Sequence, residues 1–553
     1  MLYRVHAVDA RHRSWKKTCT HDLDGGNVPI DRTLLRRADI TKAVALELSS
    51  RNRLLPRRWD YAALASDPSA VETWLRPQLR RGPSGRNASV VLADKGWRGA
   101  RPLHVMTLED RVLYRALVGL ISDALPERLR SREPIEQFRQ APLDVPDAKY
   151  ISKTDVTAYY EFIDHDLLSA ELIAQTGEEL AVDVLADLLA SVLGRRVGLP
   201  QVHPASDVLG DTYIDPVRRR LLRRGHAVFT YSDDFRIASP TLGDARAALE
   251  ACALEVRALG LVLNERKTYT YGARNYRKSL TSFADAEQRL FADGGPADSF
   301  GGLGFLDPNY GDADGGETPL TLGTSPLGSS VDEDEAFATD DSEISEDISP
   351  QRLRAAQRAW ELWMNEDESE ETQAGQEAAI TQSLLGRALP TLGAAGDAGP
   401  LTSLSPLLRF EPALAPQVTA YVNAYAQRSS RARAEVRGAL DEAVSGDILS
   451  AWQAMWLADA AGGVRRSRSR HRYEDWLAEC AADGHDGLAA TAAAALGRIG
   501  RGDPDLVAAT VERVGPEWRR LAFWGLIGLD RARAESTADD ELDRLLLTAA
   551  APQ

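Results

Sequence analysis

The sequence predicts an α+β domain with an antiparallel sheet, followed by an all-α region of HEAT-like helical repeats. Up to about residue 290, short β-branched runs bounded by turn residues alternate with amphipathic helical patterns. Beyond residue 350 only Ala-rich helical patterns remain, in four loosely similar pairs near 400–427, 430–462, 472–500 and 503–534. An ordinary irregular helical bundle is the alternative for this second half.

The periodicity of apolar residues places the elements of the first half. Helices are predicted at 33–49, 107–125, 169–193, 205–223 and 244–259. Strands are predicted at 89–92 and 103–105, on either side of the glycine-rich turn 94–99, and a further strand within 149–163 runs into a loop. Apolar runs on both sides of Tyr231-Ser232-Asp233-Asp234 predict a β-hairpin with its turn at the two acids.

The two halves differ in charge. Residues 1–290 carry 44 Lys and Arg against 38 Asp and Glu, a balance of +6, and the remainder carries 22 against 44, so that the net charge is -16. This asymmetry favours a front half that binds nucleic acid or nucleotides, although a solvated surface is the alternative. No Lys or Arg occurs between Arg289 and Arg352, and the acidic stretch 307–349 is predicted to be a disordered linker.

The three cysteines, Cys19, Cys252 and Cys480, form no CxxC pattern or Cys/His cluster. This spacing argues against structural zinc and favours a reducing cytoplasm. No apolar run reaches about 18 residues and the N-terminus is polar, so that neither a membrane span nor a signal peptide is expected.

The acids Asp233 and Asp234 are the most informative pair in the chain. Asp is depleted in strands, and desolvating two like charges is costly unless a cation neutralises them. A second acid, Asp155, follows the apolar run that ends at Thr154. Nucleotidyl transfer needs hard oxygen ligands for two Mg²⁺ ions about 3.5–4 Å apart, supplied by carboxylates from separate strands.

Several blocks resemble the motifs of the reverse transcriptase family, in the order in which that family has them. These blocks are DVTAYYEFIDHDLL from Asp155 for motif A, GLPQVHPAS from Gly198 for motif B, YSDD from Tyr231 for motif C and GLVLNERKT from Gly260 for motif D, with Arg101-Pro102-Leu103 and Glu109-Asp110-Arg111-Val112 resembling the fingers. The resemblance covers about residues 85–290 and implies a polymerase right hand with fingers and palm. It divides the chain into an N-terminal helical region with the fingers (1–150), a palm (151–290), an acidic Gly/Ser-rich linker (291–350) and a helical repeat domain (351–553).

The resemblance also implies roles for single residues. Asp155 and Asp233, with Asp234 as auxiliary carboxylate, would be the catalytic residues and the ligands of two Mg²⁺ ions, for which Mn²⁺ can substitute. Four residues would contact the incoming nucleotide: Tyr160 under the sugar, where its bulk would exclude a 2′-hydroxyl, Gln201 at the nucleotide or its pairing strand, Lys267 as general acid or triphosphate contact, and Arg101 as triphosphate clamp.

Motif B departs from the pattern of enzymes that copy long templates. Those enzymes usually place Gly after LPQ, whereas this chain has Val202 and then His203, with Asp207 just after Ser206. A branched side chain and an added acid would crowd the template or primer strand. The departure leaves the metal chemistry intact and puts ordinary templated copying in question.

The KTDV-type motif A, the altered motif B and the helical second half resemble the Abi-type, or unknown-group, reverse transcriptases of bacteria. That resemblance implies antiphage defence by abortive infection, with dNTPs as substrates. It also implies DNA synthesis that can proceed without a template and can start from a protein hydroxyl, so that the DNA product is covalently attached to protein. Some members of that class assemble as oligomers, so that a homo-oligomer is expected. The lack of a long apolar run predicts that the protein has no membrane partner. Two other hypotheses remain: a mobile-element or housekeeping enzyme that copies a dedicated RNA, and a catalytically silent scaffold or sensor.

Overall fold

The structure is a computed structural model, and it describes residues 29–96, 99–291, 348–365, 374–446, 449–465 and 467–549. The predicted linker 307–349 therefore lies almost entirely outside the described residues, as do Trp97 and Arg98 in the predicted glycine-rich turn.

The N-terminal part is mainly helical and carries one hairpin. Its elements are α1 (Arg32–Arg37), α2 (Ile40–Ser49), α3 (Trp59–Leu64), α4 (Pro68–Leu79), β1 (Ser89–Asp94), β2 (Ala100–Val105) and α5 (Leu108–Ala124). The helix predicted at 33–49 is in fact two helices. Asp39 has a non-helical ψ of 81°, and its side chain accepts a hydrogen bond from the amide of Lys42 at 2.9 Å, so that it starts a new helix.

The central part contains a four-stranded sheet in the order β4-β5-β3-β6, in which every neighbouring pair is antiparallel. Its elements are α6 (Glu127–Arg130), α7 (Ile135–Gln140), β3 (Tyr150–Thr154), α8 (His165–Thr176), α9 (Glu179–Leu193), α10 (Pro204–Arg223), β4 (Ala227–Tyr231), β5 (Asp234–Ser239), α11 (Leu242–Ala258), β6 (Tyr269–Gly272) and α12 (Ala273–Leu290). The hairpin predicted at the two acids is confirmed.

The prediction of one continuous helix at 169–193 is wrong. Gly177 adopts a left-handed conformation with φ 72°, and its amide donates to the carbonyl of Ile173 at 2.9 Å, which ends α8. A left-handed residue cannot continue a right-handed helix, and glycine takes this conformation without the penalty that a Cβ would impose. The chain then starts α9 in a new direction.

Beyond residue 348 the described chain is helical. Its helices are α13 (Pro350–Met364), α14 (Ala374–Ala395), α15 (Gly399–Thr402), α16 (Leu404–Phe410), α17 (Ala415–Arg428), α18 (Ser430–Ala443), α19 (Ala451–Gly462), α20 (Arg472–Asp483), α21 (Asp486–Ile499), α22 (Pro504–Arg513), α23 (Pro516–Leu529), α24 (Arg531–Thr537) and α25 (Glu541–Ala549). Alternate helices pack side by side, with α17, α19, α21 and α23 in one row and α18, α20, α22 and α24 in another.

The backbones of α21 and α23 approach each other closely. A Cβ added to Gly525 would lie 2.3 Å from the carbonyl oxygen of Ala493, and one added to Gly497 would lie 2.3 Å from the carbonyl oxygen of Gly525. Glycine at these positions allows the two helices to touch along their backbones. At this contact α21 and α23 therefore pack through small residues rather than through interdigitated large ones.

The helical half packs against the N-terminal part, and both contribute to one hydrophobic core. The rings of Trp59 and Trp524 stack with centroids 5.6 Å apart, and the guanidinium of Arg498 lies 4.3 Å from the ring centre of Trp59. The indoles of Trp452 and Trp518 are buried, with exposed fractions of 1% each, and both donate hydrogen bonds to the N-terminal part. Within the described part of the chain, no helix combines the length and apolar character needed to cross a bilayer.

Candidate active site

Asp155 lies directly after β3, at the edge of the sheet where motifs A and D meet. Its side chain is buried, with 5% of the residue exposed. The amide of Asn264 donates to the Asp155 carbonyl at 2.7 Å, and Nζ of Lys267 lies 3.5 Å from its Oδ2. These contacts follow from the pairing of β3 with β6 and from the bridge between Val156 and Leu263. The ammonium group of Lys267, in motif D, thus lies beside the carboxylate of Asp155, in motif A.

Asp233 lies in the turn between β4 and β5, where Tyr231 pairs with Asp234. Ser232 just before it has φ 52°, a left-handed conformation that a tight hairpin turn requires. Burial, and then repulsion from the Asp234 carboxylate, raise the pKa of Asp233 to about 6. A carboxyl group with such a pKa is poorly stabilised as an anion by the protein alone.

Arg101 and Lys267 partly offset this effect. Both cations act electrostatically on Asp233 and lower its pKa, against the larger effects of burial and Asp234. Arg101 lies on β2 and Lys267 in the short turn Glu265–Lys267 before β6. Cations from the fingers hairpin and from motif D are therefore both near the motif C turn. The structure brings together five of the seven predicted site residues: Asp155, Asp233, Asp234, Arg101 and Lys267.

Asp234 has a different environment. Nη1 of the buried Arg236 donates to its Oδ1 at 3.2 Å, two positions along the same strand. Its carboxylate is thus partly neutralised by the protein itself. This pairing suits the auxiliary role predicted for Asp234 rather than a principal one.

The residues at this edge can be tested for a fit to a divalent cation. Carboxylate oxygens are the donors that Mg²⁺ prefers. The raised pKa of Asp233 indicates that the protein supplies too little positive charge to stabilise this carboxylate, and a bound cation would supply it. Among the described residues, however, no three Asp, Glu, His or Cys side chains lie close enough together to enclose a metal ion. The donor chemistry fits, whereas the predicted set of three carboxylates is not gathered into a closed cluster. Phosphate oxygens and water would have to complete the coordination.

Tyr160 is fixed by hydrogen bonds at both sides of its hydroxyl group. The hydroxyl lies 2.7 Å from Oδ1 of Asp207 and 3.1 Å from Oγ of Ser232. The ring passes close to α10 at Gly210, where an added Cβ would lie 3.5 Å from its Cε1. The side chain predicted to lie under the sugar therefore bridges motif B and the turn of motif C.

Gln201 is held by another residue of motif A. Its Nε2 donates to Oε1 of Glu161 at 2.8 Å, and Nη2 of Arg195 donates to the other carboxylate oxygen of Glu161 at 2.8 Å. Val202, which stands where glycine is usual, has φ 58°. The backbone thus keeps a conformation that favours glycine although the residue is β-branched, an arrangement that is strained.

Two groups of residues near the site were not predicted from the sequence. Arg132 donates a hydrogen bond to the carboxylate of Asp211 in α10. Its guanidinium also lies 5.3 Å from the ring centre of Tyr231. Glu47, fully buried, accepts hydrogen bonds from Arg111, Arg115 and His203 and so joins α2 and α5 to motif B. An isolated Arg in a loop carries no signal in one sequence. For the residues around Glu47, the sequence feature that could have indicated a buried ion pair is a Glu on the apolar face of a helix.

The antiparallel sheet, with an acid at the end of β3 and two acids at the β4–β5 turn, defines a polymerase-type nucleotidyltransferase site. Residues 93–283 match the family model described as reverse transcriptase (RNA-dependent DNA polymerase), and this part of the chain belongs to the reverse transcriptase family. The protein is accordingly an enzyme of the RNA-directed DNA polymerase, or nucleotidyltransferase, class. A search among curated proteins finds no match.

Proposed function

We propose that the protein polymerises deoxynucleotides by two-metal nucleotidyl transfer, with Asp155 and Asp233 as the principal ligands and Asp234 as auxiliary carboxylate. The observation that carries this proposal is the convergence of Asp155, Asp233, Arg101 and Lys267 on one edge of the sheet. Two Mg²⁺ ions, or Mn²⁺ in their place, would activate the attacking hydroxyl and neutralise the leaving pyrophosphate.

The protein's own side chains would divide the remaining work. Arg101 would hold the triphosphate from the fingers hairpin as a charge-assisted hydrogen-bond donor. Lys267 would exchange its contact with Asp155 for the triphosphate and donate a proton to the pyrophosphate. Tyr160 would exclude ribonucleotides by its bulk under the sugar. Gln201, held by Glu161, would contact the incoming nucleotide or the strand with which it pairs.

We further propose that the enzyme belongs to the Abi-type, defence-associated branch of bacterial reverse transcriptases and acts in antiphage abortive infection. The altered motif B supports this placement, because the branched side chain of Val202 would narrow the space in which a glycine would admit the templating base. Synthesis would then be able to proceed without a template and from a protein hydroxyl, leaving DNA covalently attached. The two rows of alternating helices beyond residue 415 suit a HEAT-like solenoid, which would serve as the surface for homo-oligomer formation.

A second candidate is an RNA-templated enzyme that copies a dedicated RNA. The match to a model described as an RNA-dependent DNA polymerase favours it. Co-purification of one discrete RNA that is required for synthesis would distinguish it from template-independent synthesis.

The decisive experiment incubates purified protein with Mg²⁺ and each labelled dNTP, with and without template. Asp233→Ala and Asp155→Asn are compared with Asp166→Asn, a matched control because the Asp166 side chain is 70% exposed and pairs with the surface residue Arg196. We expect both site variants to lose incorporation and the control to keep it. Protease treatment of the product shows whether DNA is attached to protein. Normal incorporation by Asp233→Ala would refute the proposal, and retained phage protection in an Asp155→Asn, Asp233→Asn double variant would favour a silent scaffold.

A further inference from the structure

The hydroxyl of Tyr160 is the centre of a chain of hydrogen bonds that crosses the candidate site. It lies 2.7 Å from Oδ1 of Asp207, in the first turn of α10, and 3.1 Å from Oγ of Ser232, in the motif C turn. Three separate segments of the chain therefore meet at one phenol oxygen. Sequence separations of 47 and 72 residues exclude a local origin for this contact.

The chemistry of the three groups sets the direction of the chain. The phenol donates to Oδ1 of Asp207. Burial raises the pKa of Asp207, whereas the guanidinium of Arg132 and this hydrogen bond both favour its ionised form, which has no proton to donate. The phenol has only one proton, and its oxygen must therefore accept from the hydroxyl of Ser232. Each donor thus has one acceptor, and a hydrogen bond to a charged acceptor is stronger than one between neutral groups.

Arg132 keeps the carboxylate of Asp207 in place. Its Nη1 lies 3.7 Å from Oδ1 of Asp207, and its Nη2 donates to the backbone carbonyl of the same residue at 3.2 Å. One turn further along α10, Asp211 accepts from Nε of Arg132 at 2.6 Å. Asp207 and Asp211 thus share one guanidinium, and Asp207 is the acid that accepts from the hydroxyl of Tyr160 at 2.7 Å.

The ring of Tyr160 is also confined by packing. It meets Tyr159 edge to face with centroids 5.4 Å apart. Its hydroxyl would lie 3.6 Å from a Cβ placed on Gly210. The ring can leave this position only by breaking both hydrogen bonds at its hydroxyl.

We infer that Asp207 is a positioning residue that determines sugar specificity by locking the ring of Tyr160 against α10 and the motif C turn. This inference rests on the proposed function, since it assigns Tyr160 to the sugar of the incoming nucleotide. A steric barrier discriminates only when it does not yield, because a ribonucleotide pushes the ring with its 2′-hydroxyl. The hydrogen bond to Asp207 resists displacement of the Tyr160 ring. The hydrogen bond to Ser232 fixes the position of the ring relative to Asp233, the next residue in the turn. The acid that follows Ser206 thus has partners within the protein itself, the hydroxyl of Tyr160 and the guanidinium of Arg132.

The test measures the ratio of kcat/KM for a dNTP to that for the matching NTP. We expect Asp207→Ala and Tyr160→Phe each to lower this ratio about tenfold, since each removes the same charge-assisted hydrogen bond. The double variant should lower it no further than Tyr160→Phe alone, because that variant already removes the bond to Asp207 together with the bond to Ser232. Asp211→Ala is the matched control: it removes an acid from the same Arg132 but leaves the bond between Tyr160 and Asp207 in place, and its ratio should stay that of the wild type.

The outcomes separate this inference from the proposed function. Wild-type protein that incorporates no nucleotide would refute the proposed function itself. Active Asp207→Ala and Tyr160→Phe proteins with the wild-type ratio would overturn the inference alone. A fall in the rates for dNTP and NTP by the same factor would also overturn it, because it would show that Asp207 has only a structural role. If Asp207→Ala fails to fold, Asp207→Asn, which keeps the shape and removes the charge, takes its place with the same expected direction.

Discussion

The indole Nε1 of Trp518 in α23 donates a hydrogen bond of 2.8 Å to Oγ of Ser89, the first residue of β1. Trp518 is buried, and β1 also packs against α19 and against the short turn Pro412–Leu414. The helical half therefore holds the base of the hairpin whose second strand carries Arg101. The C-terminal region thus packs against the hairpin formed by β1 and β2 and restrains its position.

The first prediction concerns this support. Trp518→Phe keeps an aromatic ring in the core and removes the indole N–H, so that Ser89 loses its partner. We expect faster hydrogen exchange in β1 and β2 and a KM for dNTP raised about three- to tenfold, since one hydrogen bond contributes about 1 kcal/mol. Tyr425→Phe in α17, which loses a bond to the carboxylate of Glu435 instead, serves as control and should leave exchange in the hairpin unchanged.

The second prediction concerns the close approach of α21 and α23. Gly525→Ala should lower the free energy of unfolding by about 2–3 kcal/mol, because the new Cβ has to displace a backbone carbonyl. Gly438→Ala in α18 is the matched control, since a Cβ there meets nothing within 4 Å and removes the glycine penalty in a helix, about 0.5–1 kcal/mol. Denaturant unfolding of both variants gives the comparison. Equal stability of the two would show that the helices separate easily.

The third prediction concerns the buried Glu47. Burial alone would raise the pKa of Glu47. Arg111, Arg115 and His203 outweigh this effect and hold the pKa of Glu47 well below its usual range. Glu47→Gln keeps the shape but leaves two buried guanidinium groups without their anion, which should cost about 3–5 kcal/mol of stability. Glu72→Gln should cost less than about 1 kcal/mol, because its partner Arg76 is 44% exposed. A small loss for Glu47→Gln would mean that water or another acid replaces the carboxylate.

The fourth prediction concerns pH. Burial lowers the pKa of His203, whose Nδ1 accepts a hydrogen bond from the amide of Ala205 at 3.2 Å. The unfolded chain binds a proton at this position below about pH 6.5, and the folded chain does not until lower pH. The free energy of unfolding should therefore fall as the pH is lowered from 7 towards 5. His203→Asn, which retains a side chain able to cap the helix, should show a shallower fall, and an unchanged slope would contradict the assignment.

The fifth prediction concerns Lys267 and the metal. Lys267→Gln removes a positive charge 3.5 Å from Oδ2 of Asp155, so that half-maximal activity should need less Mg²⁺. The maximal rate should nevertheless fall about 10²-fold or more, because the proton donor is lost. Mg²⁺ titration of incorporation separates the two effects, which have opposite directions. Arg266→Gln, one residue away, is the control, and a rise in the Mg²⁺ requirement of Lys267→Gln would contradict this prediction.

Local sequence was sufficient to predict much of the candidate site. The hairpin at Asp233 follows from two β-branched runs separated by a short polar turn, and α5 and α10 follow from their apolar spacing. The helix predicted at 169–193 failed at Gly177, because the apolar pattern continues across a residue whose backbone turns left-handed. The pattern reports which residues are buried and not whether the helix axis changes direction.

The sequence by itself determined which acids are the candidate metal ligands, Asp155 and Asp233, as well as their order along the chain and the strands that precede them. Only the tertiary structure decided what surrounds those acids. The partners of Tyr160 lie 47 and 72 residues away, and the partner of Trp518 lies 429 residues away. Such contacts depend on how the elements pack in three dimensions, whereas propensity and periodicity act only between neighbours in the chain. For this reason the role inferred for Asp207, which the sequence alone suggested would crowd a bound strand, emerged only from the fold.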